Sequence, residues 1–269
     1  MELTISESEF ERLRKLFHRA SGIQLADSKK VLVCGRLAKR LRHHRFRGFR
    51  EYLDYIEGAQ GQDERQVAID LLTTNETHFF REPRHFDHLR RTLERADSGL
   101  NRTALQVWSA ACSSGEEPYS IAMLLSEVLP GRPWKILASD LSTKVLADTR
   151  TGLYGPTRAD EIPAGLRRKY CLEGTDEYQG MVLMDRPLRE RLETRQINLM
   201  EPLPAIGPFD VVFLRNVLIY FDVPAKRRIV EGVAGRMKSG GYLYIGHSET
   251  LGGVTDCVVQ ESPTIYRKP

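Results

Sequence analysis

Apolar residues recur at helical spacing through the first hundred positions. Ser6 and Glu9 form a capping-box pattern, and Phe10, Leu13, Phe17 and Ala20 follow at intervals of three or four, predicting a helix that ends at Ser21-Gly22. A second helix is expected through Val31, Leu37 and Leu41, with Gly48 as its break, and shorter helices around Tyr52–Ile56 and Gln66–Leu72. Nothing in this stretch alternates as a strand does, so residues 1–90 are expected to form a small all-α domain. From Leu105 the pattern changes. Leu105-Gln-Val-Trp-Ser-Ala is a short apolar strand, Ala111–Gly115 a loop, and a helix runs from Glu116 to about Leu129. Trp134-Lys-Ile-Leu-Ala-Ser makes a second strand ending in Asp140, and Phe209-Asp-Val-Val-Phe-Leu a third, apolar enough to be buried on both faces. A helix from Pro224 to Met237 is expected to stop at Ser239-Gly-Gly, with closing strands at Tyr242–Ile245 and Pro263–Tyr266. Strands alternating with helices predict an α/β fold, a doubly wound and mostly parallel sheet over residues 91–269. Gly165–Asn198 does not fit that rhythm. Its turn residues Gly174-Thr-Asp and Gly180, beside Met181-Val-Leu-Met, predict a small antiparallel β insertion.

Composition narrows the class. At 41% hydrophobic and 28% charged over 269 residues, the chain can bury a substantial core. No apolar run approaches the roughly 20 residues that cross a bilayer, and the first residues lack a basic stretch followed by an apolar one, so a cytoplasmic protein without membrane insertion is expected. Cys34, Cys112, Cys171 and Cys257 are far apart and form no CxxC pair, which argues against a zinc ribbon, a thioredoxin-type motif or a disulfide framework; no metal site is expected. The net charge of +4 conceals an asymmetry: Lys29 to Arg50 holds nine Lys and Arg and no acid, so the remainder is net acidic. Such a segment is either a solvated helix face or a surface for an anionic partner, and the absence of any compensating acid favours the partner.

In an open α/β sheet, ligands bind beyond the carboxyl ends of the strands. Gly115 ends the loop after the first strand and would let the backbone approach a ligand, and Asp140 ends the second strand, where an acid accepts ribose hydroxyls. Alone these indicate a nucleoside cofactor. Ser113-Ser-Gly-Glu-Glu-Pro lacks the GxGxxG that seats a pyrophosphate, and Glu116 and Glu117 would repel phosphate but tolerate a cation, favouring S-adenosylmethionine over NAD; the alternative is that both glutamates simply complement the helix dipole.

These features together resemble the chemotaxis-receptor glutamate methyltransferases (CheR family), over essentially the whole chain. The resemblance rests on six blocks in order: Leu72-Thr-Thr-Asn-Glu-Thr-His-Phe-Phe-Arg-Glu, Val107-Trp-Ser-Ala-Ala-Cys-Ser-Ser-Gly-Glu-Glu-Pro-Tyr-Ser-Ile-Ala, Ala138-Ser-Asp-Leu-Ser, Ile197-Asn-Leu-Met, Phe213-Leu-Arg-Asn-Val-Leu-Ile-Tyr-Phe and Gly246-His-Ser-Glu. It implies an S-adenosylmethionine-dependent, Rossmann-like methyltransferase domain after the helical domain, with S-adenosylhomocysteine as product. By position it implies cofactor contacts from Asn75, Thr77, Arg81, Gly115, Glu116, Asp140, Asn198, Leu199, Arg215 and Asn216. Arg81 and Tyr220 become candidates for the lining of the methyl-transfer site, and Arg36, Arg40 and Arg47 for gripping the acidic helical bundle of a receptor. Each has a plainer alternative: Asn75 and Thr77 as helix caps, Arg81 and Arg215 as ion pairs, Tyr220 as packing, and Cys112 as a small buried residue.

A glutamate side chain, with a pKa of about 4.3, is already a carboxylate at neutral pH, so no catalytic base is expected. The insertion also resembles family members that hold a receptor's C-terminal peptide as an added strand; Glu173-Gly-Thr-Asp-Glu-Tyr-Gln-Gly-Met-Val-Leu-Met fits in its two glycines but has Asp176 where a second glycine would follow Thr175. A monomer is expected. The alternatives are a nucleic-acid methyltransferase, for which the basic segment offers only Phe46 and Phe49 as aromatics, and a non-catalytic S-adenosylmethionine-binding adaptor, for which no damaged cofactor motif is evident.

Overall fold

The computed structural model describes residues 4–95, 100 and 104–269, and the chain divides into two compact units between Thr74 and Asn75. The boundary expected at residue 90 would cut through a helix.

The first unit is helical. Helix α1 (Glu7–Ser21) starts on the expected capping box: the Glu9 N–H donates to Ser6 Oγ at 3.3 Å, and the Ser6 N–H donates to the Glu9 carboxylate at 2.8 Å. Gly22 ends it at φ 72°, a left-handed conformation that glycine adopts without strain. Helices α2 (Lys30–His43), α3 (Phe49–Glu57) and α4 (Gln62–Leu72) follow. Helix α1 packs on α3 and α4, and α2 on α4. Phe10, Leu13, Leu37, Leu41, Leu53 and Ile56 are all buried. The apolar stripe of α2 is Val33, Leu37 and Leu41, and the expected Val31 is instead 84% exposed. Six residues rotate a helix by about 240°, so Val31 points away from the face that Leu37 buries.

The second unit opens with an irregular segment, 75–82, that turns at Phe79 and Phe80, and with helix α5 (Pro83–Glu94). Then come β1 (Leu105–Ala110), α6 (Glu116–Val128), β2 (Trp134–Asp140), α7 (Thr143–Thr151), β3 (Leu153–Tyr154), α8 (Pro156–Ala159), α9 (Ala164–Tyr170), β4 (Cys171–Glu173), β5 (Val182–Met184), α10 (Arg186–Arg189), β6 (Leu192–Gln196), β7 (Phe209–Leu214), α11 (Val223–Ala234), β8 (Met237–Ile245), β9 (Val259–Ser262) and β10 (Ile265–Arg267). A seven-stranded sheet has the order β6-β2-β1-β7-β8-β10-β9, parallel from β6 to β8 and antiparallel beyond. The strand order therefore reverses at β1, between β2 and β7, which is where such sheets bind ligands. Val107, Val211, Phe213 and Tyr244 belong to one core with Phe86, Leu89, Ile121 and Leu125. The doubly wound α/β fold after an all-α unit is as expected. Among the described residues no helix is long and apolar enough to cross a membrane.

Three local expectations are corrected. The small antiparallel sheet, in the order β3-β5-β4, spans Leu153–Met184 rather than 165–198. Leu192–Gln196 instead joins the large sheet parallel to β2. Helix α11 stops at Ala234, and Met237 already belongs to β8. Gly240 and Gly241 lie inside that strand, where its pairing with β7 shifts register; Gly240 has φ 77°, and a Cβ on Gly241 would sit 2.9 Å from the Asp210 carbonyl oxygen.

Candidate active site

The loop after β1 is built on unusual backbone. Ala111, Ser113 and Gly115 have φ of 67°, 51° and 100°. Asp140, at the end of β2, clamps this loop: its carboxylate accepts the Ser113 N–H at 2.9 Å and the Ser142 N–H at 2.9 Å. Ser113 Oγ donates to the Asn75 carbonyl at 3.0 Å, so Ser113 joins the loop, the strand-end acid and the start of the 75–82 segment. Sequence reasoning passed over Ser113, because a serine in a Ser-Ser-Gly loop carries no signal of its own. The segment is pinned further along, where the Phe79 N–H donates to Glu161 and the Phe80 N–H to Ser120 Oγ.

Gly115 is needed because its surroundings leave no room for a side chain. A Cβ there would lie 2.6 Å from the Tyr154 hydroxyl and 3.0 Å from Thr149 Oγ1, so the space belongs to the protein. Glu116 is likewise turned inward: it is fully buried, with Ser114 Oγ donating to it at 2.8 Å and Arg158 ion-paired to it. Both of these partners come from the protein itself. Burial pushes its carboxyl up from the usual range. Cys112 is buried, and burial together with the charges of Asp140 and Glu117 raises its thiol far above the ordinary value, which makes it inert.

Arg215 is held deep in the second unit. Its side chain is 2% exposed and lies between two carboxylates, with Nη1 2.9 Å from Glu117 and Nη2 3.2 Å from Glu82. The guanidinium also lies over the rings of Phe86 and Phe213, each centroid 5.9 Å away. The ion-pair alternative for Arg215 is the one realised in this structure, its guanidinium held between the two carboxylates. Glu82 was missed although it directly follows Arg81 in the first block. It adopts φ 58° and accepts hydrogen bonds from Arg215, the Asn216 side-chain amide (3.1 Å) and the His247 N–H (3.2 Å). Burial pushes its carboxyl up, but Arg215 and these donors outweigh that and hold it at about 2. Glu249 was missed too. It accepts the backbone N–H groups of Asn216 (3.0 Å), Gly246 (2.6 Å) and Ile219 (3.3 Å), tying the loops after β7 and β8 together.

The structure thus gathers Asn75, Thr77, Arg81, Asp140 and Asn216 in the second unit, all half-buried. Arg81 donates to the Glu76 carbonyl at 3.0 Å. Asn198 and Leu199 follow β6, whose end is fixed to Asp140 through the Ile197 N–H. Tyr220 is half-buried on the turn after β7. A strand-end carboxylate, half-buried amides and a strained glycine loop beside β2 fit the adenosine part of S-adenosylmethionine.

The helical unit tells a different story from the one expected for its arginines. Arg36 donates to the Leu71 and Thr73 carbonyls at 2.9 and 3.1 Å, capping α4. Arg40 binds Glu64 through Nε at 2.9 Å and again through Nη2. Glu64 is 4% exposed and also takes the Tyr52 hydroxyl at 3.0 Å and His44 at 2.8 Å. Of the three expected receptor-binding arginines only Arg47 is exposed, alongside Lys39, Arg42, Arg45 and Arg50.

Comparison with known proteins decides the family. Residues 8–73 match the CheR methyltransferase all-alpha domain, and residues 75–266 the CheR methyltransferase SAM binding domain. The chain belongs to the CheR methyltransferase family. It is 40% identical over 272 residues to chemotaxis protein methyltransferase 2 of Pseudomonas aeruginosa, covering 98% of this chain and 94% of that protein. It is 38% identical to the Escherichia coli chemotaxis protein methyltransferase, covering 98% and 92%, and 37% identical to that of Salmonella typhimurium, covering 98% and 91%. The family boundary between residues 73 and 75 coincides with the division between the two compact units.

Proposed function

We propose that this CheR-family methyltransferase transfers a methyl group from S-adenosylmethionine to glutamate side chains of chemotaxis receptors, giving glutamate methyl esters and S-adenosylhomocysteine. The observation that carries this is similarity along 98% of the chain to proteins named chemotaxis protein methyltransferase. Bound S-adenosylmethionine supplies an electrophilic methyl on a positively charged sulfur. The glutamate arrives ionised, so the protein has no proton to remove before attack. Its task is to hold the carboxylate oxygen in line with the methyl–sulfur bond and to exclude water, and alignment of this kind is worth up to roughly 7–11 kcal/mol. Asp140 takes the ribose hydroxyls, Asn75, Thr77, Asn198, Leu199 and Asn216 line the cofactor, and Arg81 and Tyr220 flank the reacting end. Arg215 acts indirectly, fixing Glu82 and Glu117 behind the site.

Receptor recognition is assigned to the exposed bases Lys39, Arg42, Arg45, Arg47 and Arg50, which match the acidic, glutamate-bearing helices of a receptor bundle. Arg36 and Arg40 support that surface from within. The outer strand β4, with Leu172 54% exposed and Tyr178 48% exposed nearby, is suited to adding a receptor's C-terminal peptide as a further strand. The enzyme acts as a cytoplasmic monomer. Incubation with methyl-labelled S-adenosylmethionine and receptor-bearing membranes tests the function: base-labile label in the receptor band is expected. Label appearing in RNA, or in no acceptor at all, would overturn it.

A further inference from the structure

The Gly246-His-Ser-Glu block follows β8, and only its glutamate has been given a task so far. His247 and Ser248 are its exposed members. The His247 side chain is 73% exposed, yet one edge of the ring is fixed: Nδ1 lies 3.0 Å from Glu82 Oε1, the same oxygen that accepts the His247 N–H at 3.2 Å. Glu82 is ionised at neutral pH and can only accept, so in any hydrogen bond between them Nδ1 is the donor. Nε2, across the ring, has no hydrogen-bond partner among the described residues. The other histidine beside Glu82 cannot do the same work. His85 is buried, its Nε2 lies 2.7 Å from Thr264 Oγ1, and burial together with Arg215 depresses its pKa to about 4, so it stays neutral.

Strand order gives His247 its place. β2, bearing Asp140, lies on one side of β1, and β7 and β8 lie on the other. A cofactor whose ribose sat at Asp140, with Asn198 and Leu199 after β6 lining its adenosine end, would turn its methyl-bearing end toward β7 and β8. Asn216 and His247 stand there, linked by their shared contact with Glu82.

We propose that His247 contacts the substrate, its imidazole binding the carboxylate of the glutamate that accepts the methyl group, while Glu82 acts as a positioning residue that orients the ring. With both ring nitrogens protonated, the imidazole would donate from Nδ1 to Glu82 and from Nε2 to one carboxylate oxygen, leaving the other oxygen free to form the new bond to the methyl carbon as the sulfur–methyl bond breaks. The proposal rests on the receptor-glutamate activity proposed above.

The test compares purified full-length wild type, His247→Ala and His247→Gln, by titration with S-adenosylhomocysteine and by initial rates of receptor methylation. His247→Ala is expected to lose at least fivefold in kcat/KM for receptor with cofactor affinity within twofold of wild type, and His247→Gln, whose amide can donate, to recover part of the loss. A smaller loss, an equal loss of cofactor affinity, or a Gln variant no better than Ala would overturn the proposal. Wild-type protein that methylates no receptor would instead overturn the functional reading beneath it, so the two failures are distinct.

Discussion

Replacing Arg40 by alanine should destabilise the helical unit rather than unhook a receptor. Glu64 is 4% exposed and holds four hydrogen-bond contacts, two of them from Arg40 and one each from Tyr52 and His44. Burial pushes its carboxyl up, but the bonds from Arg40, His44 and Tyr52 win and hold it below the ordinary carboxylate range. Removing one partner of a buried pair costs about 3–5 kcal/mol, because the remaining charge stays in a poor solvent. The Arg40 side chain is itself 27% exposed, so water replaces part of what is lost, and the loss comes to about 2–3 kcal/mol. For a unit of this size that is a fall of roughly 10–20 °C in Tm.

The sign with pH follows from the lowered folded-state pKa. The wild-type pair contributes stability above about pH 4.3, and that contribution is lost as pH falls toward the folded value. The deficit of Arg40→Ala should therefore be full at pH 7 and shrink in acid. Urea denaturation followed by helical circular dichroism at pH 7 and pH 4 measures it, and adding Glu64→Gln should restore part of the loss. If Arg40→Ala changed stability by less than about 0.5 kcal/mol yet abolished receptor methylation, the inward role argued for Arg40 would be wrong and the docking role right.

Asp140→Ala should weaken S-adenosylhomocysteine binding by about 1.5–3 kcal/mol, the worth of hydrogen bonds to a charged group; unchanged heats in a folded variant would remove Asp140 from the site. Reversing Lys39, Arg42 and Arg47 together to Glu should abolish receptor methylation and leave cofactor affinity intact, and added salt should imitate it, since exposed charges are screened over roughly 8 Å at physiological ionic strength; normal methylation by the triple variant would return the segment to a solvated face. Glu82, held at about 2, should contribute stability above about pH 4.3 that drains away as pH falls toward 2; a Glu82→Gln variant with the same acid-denaturation profile as wild type would contradict that. A peptide copying an aromatic-acidic receptor tail should shift the resonances of Met181–Met184 without affecting cofactor binding, and no shift with any tail from the host's receptors would exclude tethering.

The units and the parallel sheet were legible because their signals are local. A capping box at Ser6 and Glu9, apolar residues at helical intervals, and Phe209–Leu214 buried along its whole length each follow from a few neighbouring side chains. The β6 strand was not, since Leu192-Glu-Thr-Arg-Gln at the sheet edge is mostly exposed or half-buried and has no apolar alternation to read. Gly240 and Gly241 looked like a helix stop because glycine marks any break, and here the break is a register shift within β8.

The site shows the same division more sharply. Sequence identifies which polar residues stand at the strand ends, but not which way each one faces. Asp140 could be placed because a strand-end acid has one strong use, and the loop it clamps is next to it in space. Arg215, Glu116 and Arg40 are charged residues in marked motifs, and all three are turned inward onto partners far along the chain: Glu82 and Glu117, Arg158, and Glu64. Burying a charge requires a partner of opposite sign within hydrogen-bonding distance, and that requirement is met only after the chain has folded. The partners show no signal in isolation, which is why Glu82, Glu249 and Ser113 went unnoticed. Charge in a motif therefore marks a place in the fold before it marks a contact with a ligand. In the function proposed here, cofactor and receptor are met by residues that the fold sets at strand ends and on the surface: Asp140 at the β2 end, His247 after β8, and the exposed bases Lys39, Arg42, Arg45, Arg47 and Arg50.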